Sequence, residues 1–376
     1  MSRRALVICL LVLGCEPASH VEETLDAFSP IGQRLYDDSS VPLDRPDGVL
    51  PTPVDAGSDA GLVSDRLSLD FVTIDQDSSA LRLTDLAFIP DGSGEFFAID
   101  KDGDVFHMIL EGEGARTLGR FNIQDTYTVE DSGLISVAID PNFAENRFFY
   151  LGLSVSRQTN VIRRYRLDPT DYEGTYASEV LVIDVTGEGS RRPWHNVGDI
   201  GFTEAGHMWA LFGDKVLDDE AQDPNSLLGK VLRIIPDVDD DGGYTVPDDN
   251  PFNDGSGHPA VYALGLRSPW KGAYHQGRWF ISEIGLDTYE EINLLEGPAQ
   301  NFGWPLHEGP CRDSCGETTP PWVYYGRGGA ARFVRDDLDA TAARKRSAWV
   351  GVVYRSSTED PYRGLWNNTV VFGDIY

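Results

Sequence analysis

His195 is the side chain of this 376-residue sequence whose type and position best suit acid–base chemistry. It lies in segment 192–200, just ahead of an apolar run that predicts a strand, and therefore on a loop, where functional residues collect. An unperturbed imidazole titrates at about pH 6.5, so it can accept a proton near neutral pH. A histidine held by local hydrogen bonds, without a chemical role, explains the same residue, and both interpretations stay open at this point.

Cys311 and Cys315 are two thiols only a few positions apart, which fits either a short disulfide or part of a metal site. A metal site needs further ligands close by, and His307 alone is weak support for one. The export predicted below would place the pair in an oxidising compartment. The sequence therefore favours a Cys311–Cys315 disulfide.

One acidic segment, residues 237–242, begins like the calcium-binding loop of an EF-hand, with Asp248 where the bidentate glutamate would stand. Clustered carboxylates of this kind suit calcium. An acidic hairpin turn accounts for the same residues, so the sequence leaves calcium binding between Asp237 and Asp248 open.

The elements that must position these residues follow a repeated pattern after residue 66: an apolar strand, a turn rich in Asp, Gly or Asn, and a strand that opens with aromatic residues. The aromatic strands begin at residues 95, 147, 207, 278 and 368. The last interval is the widest and has room for one more unit around Val323 and Tyr324, which makes six. Repeats of this length favour an all-β fold, a six-bladed β-propeller, with a jelly roll as the alternative.

The first 15 residues have the features of a lipoprotein-type signal peptide. Arg3 and Arg4 precede an apolar run, residues 5–13, that is too short to cross a bilayer, and Gly14 and Cys15 follow in a sequence similar to a bacterial lipobox. We expect Cys15 to carry a lipid that is the protein's one attachment to a membrane. The protein is then a periplasmic or cell-envelope lipoprotein of a bacterium; an ordinary secreted protein cleaved nearby is the alternative.

Residues 16–66 are rich in Asp, Ser, Pro, Gly and Ala and have almost no aromatic residues. Such a segment cannot bury enough apolar surface to fold, so the sequence predicts a disordered acidic tether. The folded domain is then expected over residues 67–376.

The charge excludes one class of partner. Lys and Arg number 31 against 61 Asp and Glu, which gives a net charge of -30. A surface this acidic repels the phosphate backbone of a nucleic acid and an anionic lipid surface. Neutral or cationic ligands are favoured instead.

Three segments in the second half of the chain, residues 259–270, 282–295 and 301–305, resemble the glucose/sorbosone dehydrogenase family. These are soluble quinoproteins that use pyrroloquinoline quinone (PQQ). Residues 133–143, 225–234 and 250–252 are similar to further strands and a loop of the family. The resemblance begins at about residue 70, and it implies a six-bladed propeller, in agreement with the repeats.

The resemblance also implies a site. The quinone would lie over the mouth of the propeller with a calcium ion on its oxygens, and an aldose sugar or related alcohol would pass hydride to it. His195 matches the family's general base, Arg267 the arginine that contacts the quinone, and Gly285 and Leu286 the pair whose carbonyls bind calcium. A separate electron acceptor would then reoxidise the quinone.

Four positions depart from the family's pattern. Ser268 stands where an asparagine is usual, Asp131 where a glutamine touches the sugar, and Trp194 where an acidic residue would orient the base. Tyr376 takes the place of a quinone-binding lysine, and further cofactor-binding arginines would lie beyond it, so the propeller is expected to be truncated at its C-terminal end or to bind the quinone without them. We predict Ser268, Asp131 and Tyr376, with Arg267, as the cofactor-binding positions.

Two functions remain. The first is a PQQ- and calcium-dependent sugar dehydrogenase with His195 as the base. The second is a non-catalytic propeller that binds a carbohydrate or a protein, as more distant relatives such as the Hedgehog-interacting proteins do.

Overall fold

A computed structural model describes residues 82–112, 114–239, 241–311, 315–327, 347–355 and 367–374. The predicted signal peptide with Cys15, the tether, the first residues of the predicted domain and Tyr376 lie outside these described residues. Within them, no helix has the length and apolar character needed to cross a membrane.

The described part of the chain is almost entirely β-structure. The strands are β1 (Leu83–Phe88), β2 (Glu95–Asp100), β3 (Asp104–Glu111), β4 (Gly114–Asn122), β5 (Leu134–Ile139), β6 (Phe148–Ser154), β7 (Thr159–Arg166), β8 (Val180–Thr186), β9 (Val197–Phe202), β10 (Met208–Phe212), β11 (Lys230–Pro236), β12 (Tyr244–Thr245), β13 (Val261–Leu264), β14 (Pro269–His275), β15 (Arg278–Glu283), β16 (Tyr289–Leu295), β17 (Val323–Gly326), β18 (Ala348–Tyr354) and β19 (Thr369–Asp374). Two short α-helices, α1 (Phe143–Asn146) and α2 (Tyr172–Ala177), and one 3-10 helix (Asp218–Gln222) lie in the connections.

The strands form five consecutive antiparallel sheets. The first is β1-β2-β3-β4, the second β5-β6-β7-β8, and the fourth β14-β15-β16-β17, each in chain order. The third runs β9-β10-β11, and β11 pairs with β12 at one end and β13 at the other; the fifth contains β18 and β19. Sheets built from neighbouring strands in sequence are the architecture of a β-propeller rather than of a jelly roll.

The first strand of each sheet packs against the first strand of the next, in the order β1, β5, β9, β14 and β18. The approach is close where β9 meets β14, because a side chain at Gly198 would overlap the backbone carbonyl of Pro269. Lys271 of β14 is buried between these inner strands, with its Nζ 3.0 Å from Asp85 of β1 and 3.5 Å from Asp199 of β9. One cation thus joins the first, third and fourth sheets.

The predicted count of six units is not confirmed, and one of its steps is wrong. Val323 and Tyr324 do not open a unit of their own, because they lie in β17, the outer strand of the fourth sheet. The sequence signal was a run of apolar and aromatic residues, and outer strands have such runs as well as inner strands. The described residues thus supply five sheets, and six blades stays a prediction.

Aromatic rings near the starts of β2 and β6 pack between the first two sheets. Phe97 of β2 stacks on Phe149 of β6 with ring centroids 4.3 Å apart, and Phe149 also stacks on Tyr165 at 5.6 Å. All three side chains are fully buried. The periodic aromatic residues of the sequence are therefore core residues, and the site must come from the loops.

The acidic segment after β11 folds back on the second sheet. The guanidinium of Arg164 donates to the backbone carbonyls of Asp237 and Asp239, and it stacks on Phe148 at 4.3 Å. Described residues contain no group of three or more His, Cys, Asp or Glu side chains arranged to hold a metal. Calcium binding between Asp237 and Asp248 gains no support from this arrangement.

Candidate active site

His195 lies on the loop before β9, as the sequence predicts, and its side chain is buried with 6% exposure. Its ring nitrogen Nδ1 is 2.5 Å from Oδ1 of Asp214, and its backbone N–H donates to Oδ2 of Asp131 at 3.2 Å. A carboxylate can only accept, so the imidazole donates from Nδ1. In the neutral ring this leaves the lone pair on Nε2, the atom that a general base needs.

Asp214 is the residue that sequence reasoning missed. It is fully buried after the end of β10, and its Oδ2 accepts from Nε1 of Trp304 at 2.7 Å while its Oδ1 also accepts from the backbone N–H of Val216 at 2.7 Å. Three donors thus converge on one carboxylate. The available signal was an aspartate directly after the strand that pairs with the one following His195.

The backbone around the pair of His195 and Asp214 is strained. His195, Lys215 and Val216 have φ values of 52°, 54° and 60°, in the left-handed region that non-glycine residues avoid. Such residues cost on the order of 1–3 kcal/mol each and collect at functional sites. Gly213 fits the same crowding, because a side chain there would overlap the backbone of His195.

Arg267 lies directly beside this pair. Its backbone carbonyl accepts from the N–H of Asp214 at 2.8 Å, and its guanidinium carbon is 5.4 Å from the ring centroid of Trp304. Nη1 donates to the carbonyls of Ile284 at 2.9 Å and Gly285 at 3.0 Å. Nε is buried and has no hydrogen-bond partner among the described residues. A partly buried guanidinium with a spare donor suits an anionic or quinone oxygen, so this residue fits the predicted cofactor.

Gly285 and Leu286 do not form an open calcium cradle in this arrangement. The carbonyl of Gly285 accepts from Arg267 at 3.0 Å and from Nη1 of Arg327 at 2.5 Å. A divalent cation at that oxygen would meet two guanidinium groups, both of which would have to move. Leu286 is half-exposed, and its N–H donates to Oε1 of Glu308 at 2.7 Å. Calcium binding therefore stays a prediction.

The remaining predicted positions lie at different distances from the pair. Asp131 contacts the backbone of His195, as described, whereas Ser268 is buried and its N–H donates to Oε1 of Glu283 at 2.5 Å. Trp194 does not orient the base; its Nε1 donates to Glu130 and its ring lies 4.8 Å from the guanidinium carbon of Arg192. The orienting carboxylate comes from Asp214 instead.

A narrow recess beside Arg267 and Trp304 is lined by the carboxyl groups of Glu283, Glu291 and Glu308. Burial raises the pKa of Glu283 well above its ordinary value and raises that of Glu291 to about 7. Burial also acts to raise the pKa of Glu308, but four backbone N–H donors outweigh it and the pKa is lowered. Oε2 of Glu283 is buried and has no hydrogen-bond partner among the described residues.

Cys311 and Cys315 are joined by a disulfide with a Cα–Cα distance of 5.2 Å. The bridge closes a short loop beyond the cis peptide between Trp304 and Pro305. The disulfide lies in the connection between β16 and β17, which also contains Trp304, the residue that donates to Asp214.

The sequence profile of the glucose/sorbosone dehydrogenase family matches residues 82–319. The HIPL1 protein of Arabidopsis thaliana is 34% identical over 204 residues, which cover 48% of this chain and 28% of that protein. The aldose sugar dehydrogenase YliI of Escherichia coli is 27% identical over 234 residues, covering 59% of this chain and 58% of that protein. The chain thus spans less than two thirds of the length of either relative.

Solved structures share the fold. The apo form of the soluble aldose sugar dehydrogenase from Escherichia coli superposes with a TM-score of 0.58 at 22% identity, covering 78% of this chain and 80% of that one. The PQQ-bound aldose sugar dehydrogenase from Streptomyces coelicolor gives a TM-score of 0.54 at 20% identity, covering 81% and 96%. These likenesses show the fold, and the profile match over more than half of the chain establishes that it belongs to the glucose/sorbosone dehydrogenase family.

Proposed function

We propose that the protein is a quinone-dependent sugar dehydrogenase that oxidises an aldose or related alcohol. The observation that carries this proposal is the buried pair of His195 and Asp214, with Arg267 beside it. A buried imidazole held by a carboxylate is the arrangement of a general base, and the neighbouring cation suits an acceptor on which negative charge develops.

The residues divide the work as follows. Nε2 of His195 takes the proton of the substrate hydroxyl while hydride leaves the carbon. Asp214 holds the ring by Nδ1 and stabilises the imidazolium that forms, and Trp304 and the N–H of Val216 keep the carboxylate in place. A bound quinone would supply the hydride acceptor.

Arg267 would hold the quinone. Its Nη1 hydrogen bonds to Ile284 and Gly285 fix the guanidinium, and the unpartnered Nε is the donor left for the cofactor. The acidic surface favours neutral sugars over anionic ones as substrates. Export as an envelope lipoprotein through Cys15, calcium dependence and the electron acceptor are parts of the proposal that the described residues leave to experiment.

A non-catalytic binding module is the second candidate. The Hedgehog-interacting protein of Mus musculus is 27% identical over 213 residues, and these cover 29% of that protein. The two guanidinium groups on the carbonyl of Gly285 also favour a site that works without calcium.

Reconstitution separates the two candidates. We expect added PQQ and calcium to give a difference absorbance spectrum and turnover of an aldose with an artificial acceptor. His195→Ala should keep the spectrum and lose about two to four orders of magnitude in rate. His207→Ala is the matched control, because His207 lies at the opposite end of the β9–β10 hairpin. The absence of both a difference spectrum and turnover in the wild type would favour the binding module.

A further inference from the structure

Two lysines are completely buried in the third sheet and its loops, and they differ in how their ammonium groups are satisfied. Nζ of Lys230 donates to three backbone carbonyls, those of Glu220 at 2.7 Å, Ala221 at 3.0 Å and Leu228 at 2.6 Å. Three acceptors match its three protons, so Lys230 is a saturated structural residue.

Lys215 is equally buried but donates to a single acceptor among the described residues, Oδ1 of Asn196 at 2.7 Å. No carboxylate of the described chain lies within ion-pair distance of its Nζ. Burial lowers the pKa of Lys215 to about 8, against the opposing effect of Asp131. A buried cation with so few partners is unfavourable for stability, so the position needs another explanation.

Asn196 is the centre of a buried polar network directly behind His195. Besides Lys215, its Oδ1 lies 3.2 Å from the hydroxyl of Ser154 and 3.4 Å from that of Ser132, and these hydroxyls donate over 2.8 Å to Oδ1 of Asn160 and to the carbonyl of Pro193, respectively. Its Nδ2 donates to the carbonyl of Pro193 at 2.9 Å, and its own carbonyl accepts from the N–H of Gly213 at 2.9 Å. The network therefore fixes the residues on both sides of His195.

The second end of Lys215 is fixed as well. Its backbone follows Asp214, and its carbonyl accepts from the hydroxyl of Ser190 at 2.6 Å. The side chain of Lys215 thus runs from the loop that carries Asp214 to the loop that carries His195. Both loops have left-handed backbone at these residues, which they would not adopt unaided.

We propose that Lys215 is a positioning residue that acts through Asn196: its ammonium ties the two loops together so that Nδ1 of His195 meets the carboxylate of Asp214. The structural part of the proposal stands on these contacts alone. Its kinetic part rests on the proposed function.

The first test reads the histidine directly and needs no turnover. The full chain is labelled with 15N-histidine, and the His195 resonances are assigned by their loss in His195→Gln. In wild type we expect one set of signals with a protonated Nδ1. Lys215→Met, which keeps the length of the side chain but removes its charge and donors, should broaden or double that set. Lys230→Met, the matched buried control, should leave it unchanged even where it lowers the unfolding temperature more.

A double-mutant cycle tests whether the effect passes through Asn196. Asn196→Ala removes the acceptor and leaves the ammonium in place, so it should disturb the His195 signals in the same way. If Lys215 acts through Asn196, the variant that carries both Lys215→Met and Asn196→Ala should disturb the His195 signals no more than the single variant with the larger effect. Effects that add independently would overturn the proposal, as would unchanged His195 signals in a folded Lys215→Met or Asn196→Ala protein.

Kinetics give the second readout. If His195 is the base, Lys215→Met should lower kcat by about 10- to 100-fold and change KM by less than about 3-fold, because it misplaces the base without touching the substrate. If Lys215→Met alters the His195 signals but neither the wild type nor the variant shows turnover, the positioning role is supported and the dehydrogenase function is refuted. Normal signals with lost turnover in Lys215→Met would refute the positioning role instead.

Discussion

Asp214→Asn is the substitution that tests the proposed base most sharply, because the surroundings of Asp214 allow no comfortable placement of an amide. The carboxylate accepts from three donors, Nδ1 of His195, the N–H of Val216 and Nε1 of Trp304. An amide has one acceptor oxygen. If the oxygen faces Trp304, the NH₂ group meets the N–H of Val216 and forces His195 to accept at Nδ1.

That placement moves the imidazole proton to Nε2, the atom that must take the proton of the substrate. The opposite placement sets the NH₂ group against the indole N–H, which cannot accept. The substitution therefore removes the charge that stabilises the imidazolium and also favours the wrong tautomer. We expect kcat to fall by about 10³- to 10⁴-fold, which corresponds to about 4–5.5 kcal/mol of transition-state stabilisation.

Trp304→Phe supplies the control and a possible rescue. Alone it should cost about 10-fold, the size of one hydrogen bond that steadies the carboxylate. Combined with Asp214→Asn it removes the clash with the indole, so the amide oxygen can turn to His195 and Val216. The double variant should then be faster than Asp214→Asn alone.

The assay is aldose oxidation by reconstituted protein with an artificial acceptor, with the tautomer read from 15N-histidine shifts. The reasoning is refuted if Asp214→Asn retains more than a tenth of wild-type activity, or if Trp304→Phe slows Asp214→Asn further.

Three further outcomes are expected. Arg267→Met should weaken quinone binding by at least about 10-fold in an absorbance titration, whereas Arg278→Met, at the opposite end of the β14–β15 hairpin, should not. Burial lowers the pKa of Lys230 to about 7, so between about pH 7 and 10.5 the unfolded chain binds one more proton than the folded chain and the folded state becomes more stable as pH rises. In urea unfolding across that window, the free energy of unfolding of the wild type should rise by up to about 1.4 kcal/mol per pH unit relative to that of Lys230→Met. The same pH dependence of unfolding free energy in both proteins would contradict this expectation. Exported protein should carry Cys311 and Cys315 as a disulfide, visible as a mass gain on reduction and alkylation, and free thiols would overturn that expectation.

The sequence predicted the repeated β-units because each one has a continuous apolar or aromatic run bounded by turn residues, a signal that needs no knowledge of the neighbouring strands. It miscounted at Val323 and Tyr324 because an outer strand packed on the next sheet is as apolar and aromatic as an inner one. The order in which strands pair decides which strand begins a sheet, and the composition of a single strand does not predict its pairing.

The site divides in the same way. His195 and Arg267 stand in segments whose residue types are distinctive, so the sequence could single them out. Asp214 could not be found this way, because the chain has 61 acidic residues and only the hairpin of β9 and β10 brings this one back to His195. Lys215 and Asn196 are equally silent in sequence, since their role depends on burial and on a contact between two loops.

The arrangement of sheets explains why a substitution can disturb the position of Arg267 without breaking the contact between His195 and Asp214. His195 and Asp214 flank β9 and β10 of the third sheet, so the contact between Nδ1 and Oδ1 forms within one hairpin. Arg267 and Trp304 come from the fourth sheet, where they flank β14 and follow β16, and they reach the pair through the Asp214 N–H and the indole N–H. A change in packing between the two sheets would therefore shift the cofactor cation relative to the base and weaken the contacts of Asp214 with Arg267 and Trp304, while the Nδ1–Oδ1 contact stays within the third sheet. Loss of quinone binding with an intact His195–Asp214 pair is the defect to expect from substitutions at that boundary, such as at Gly198, which has no room for a side chain against Pro269.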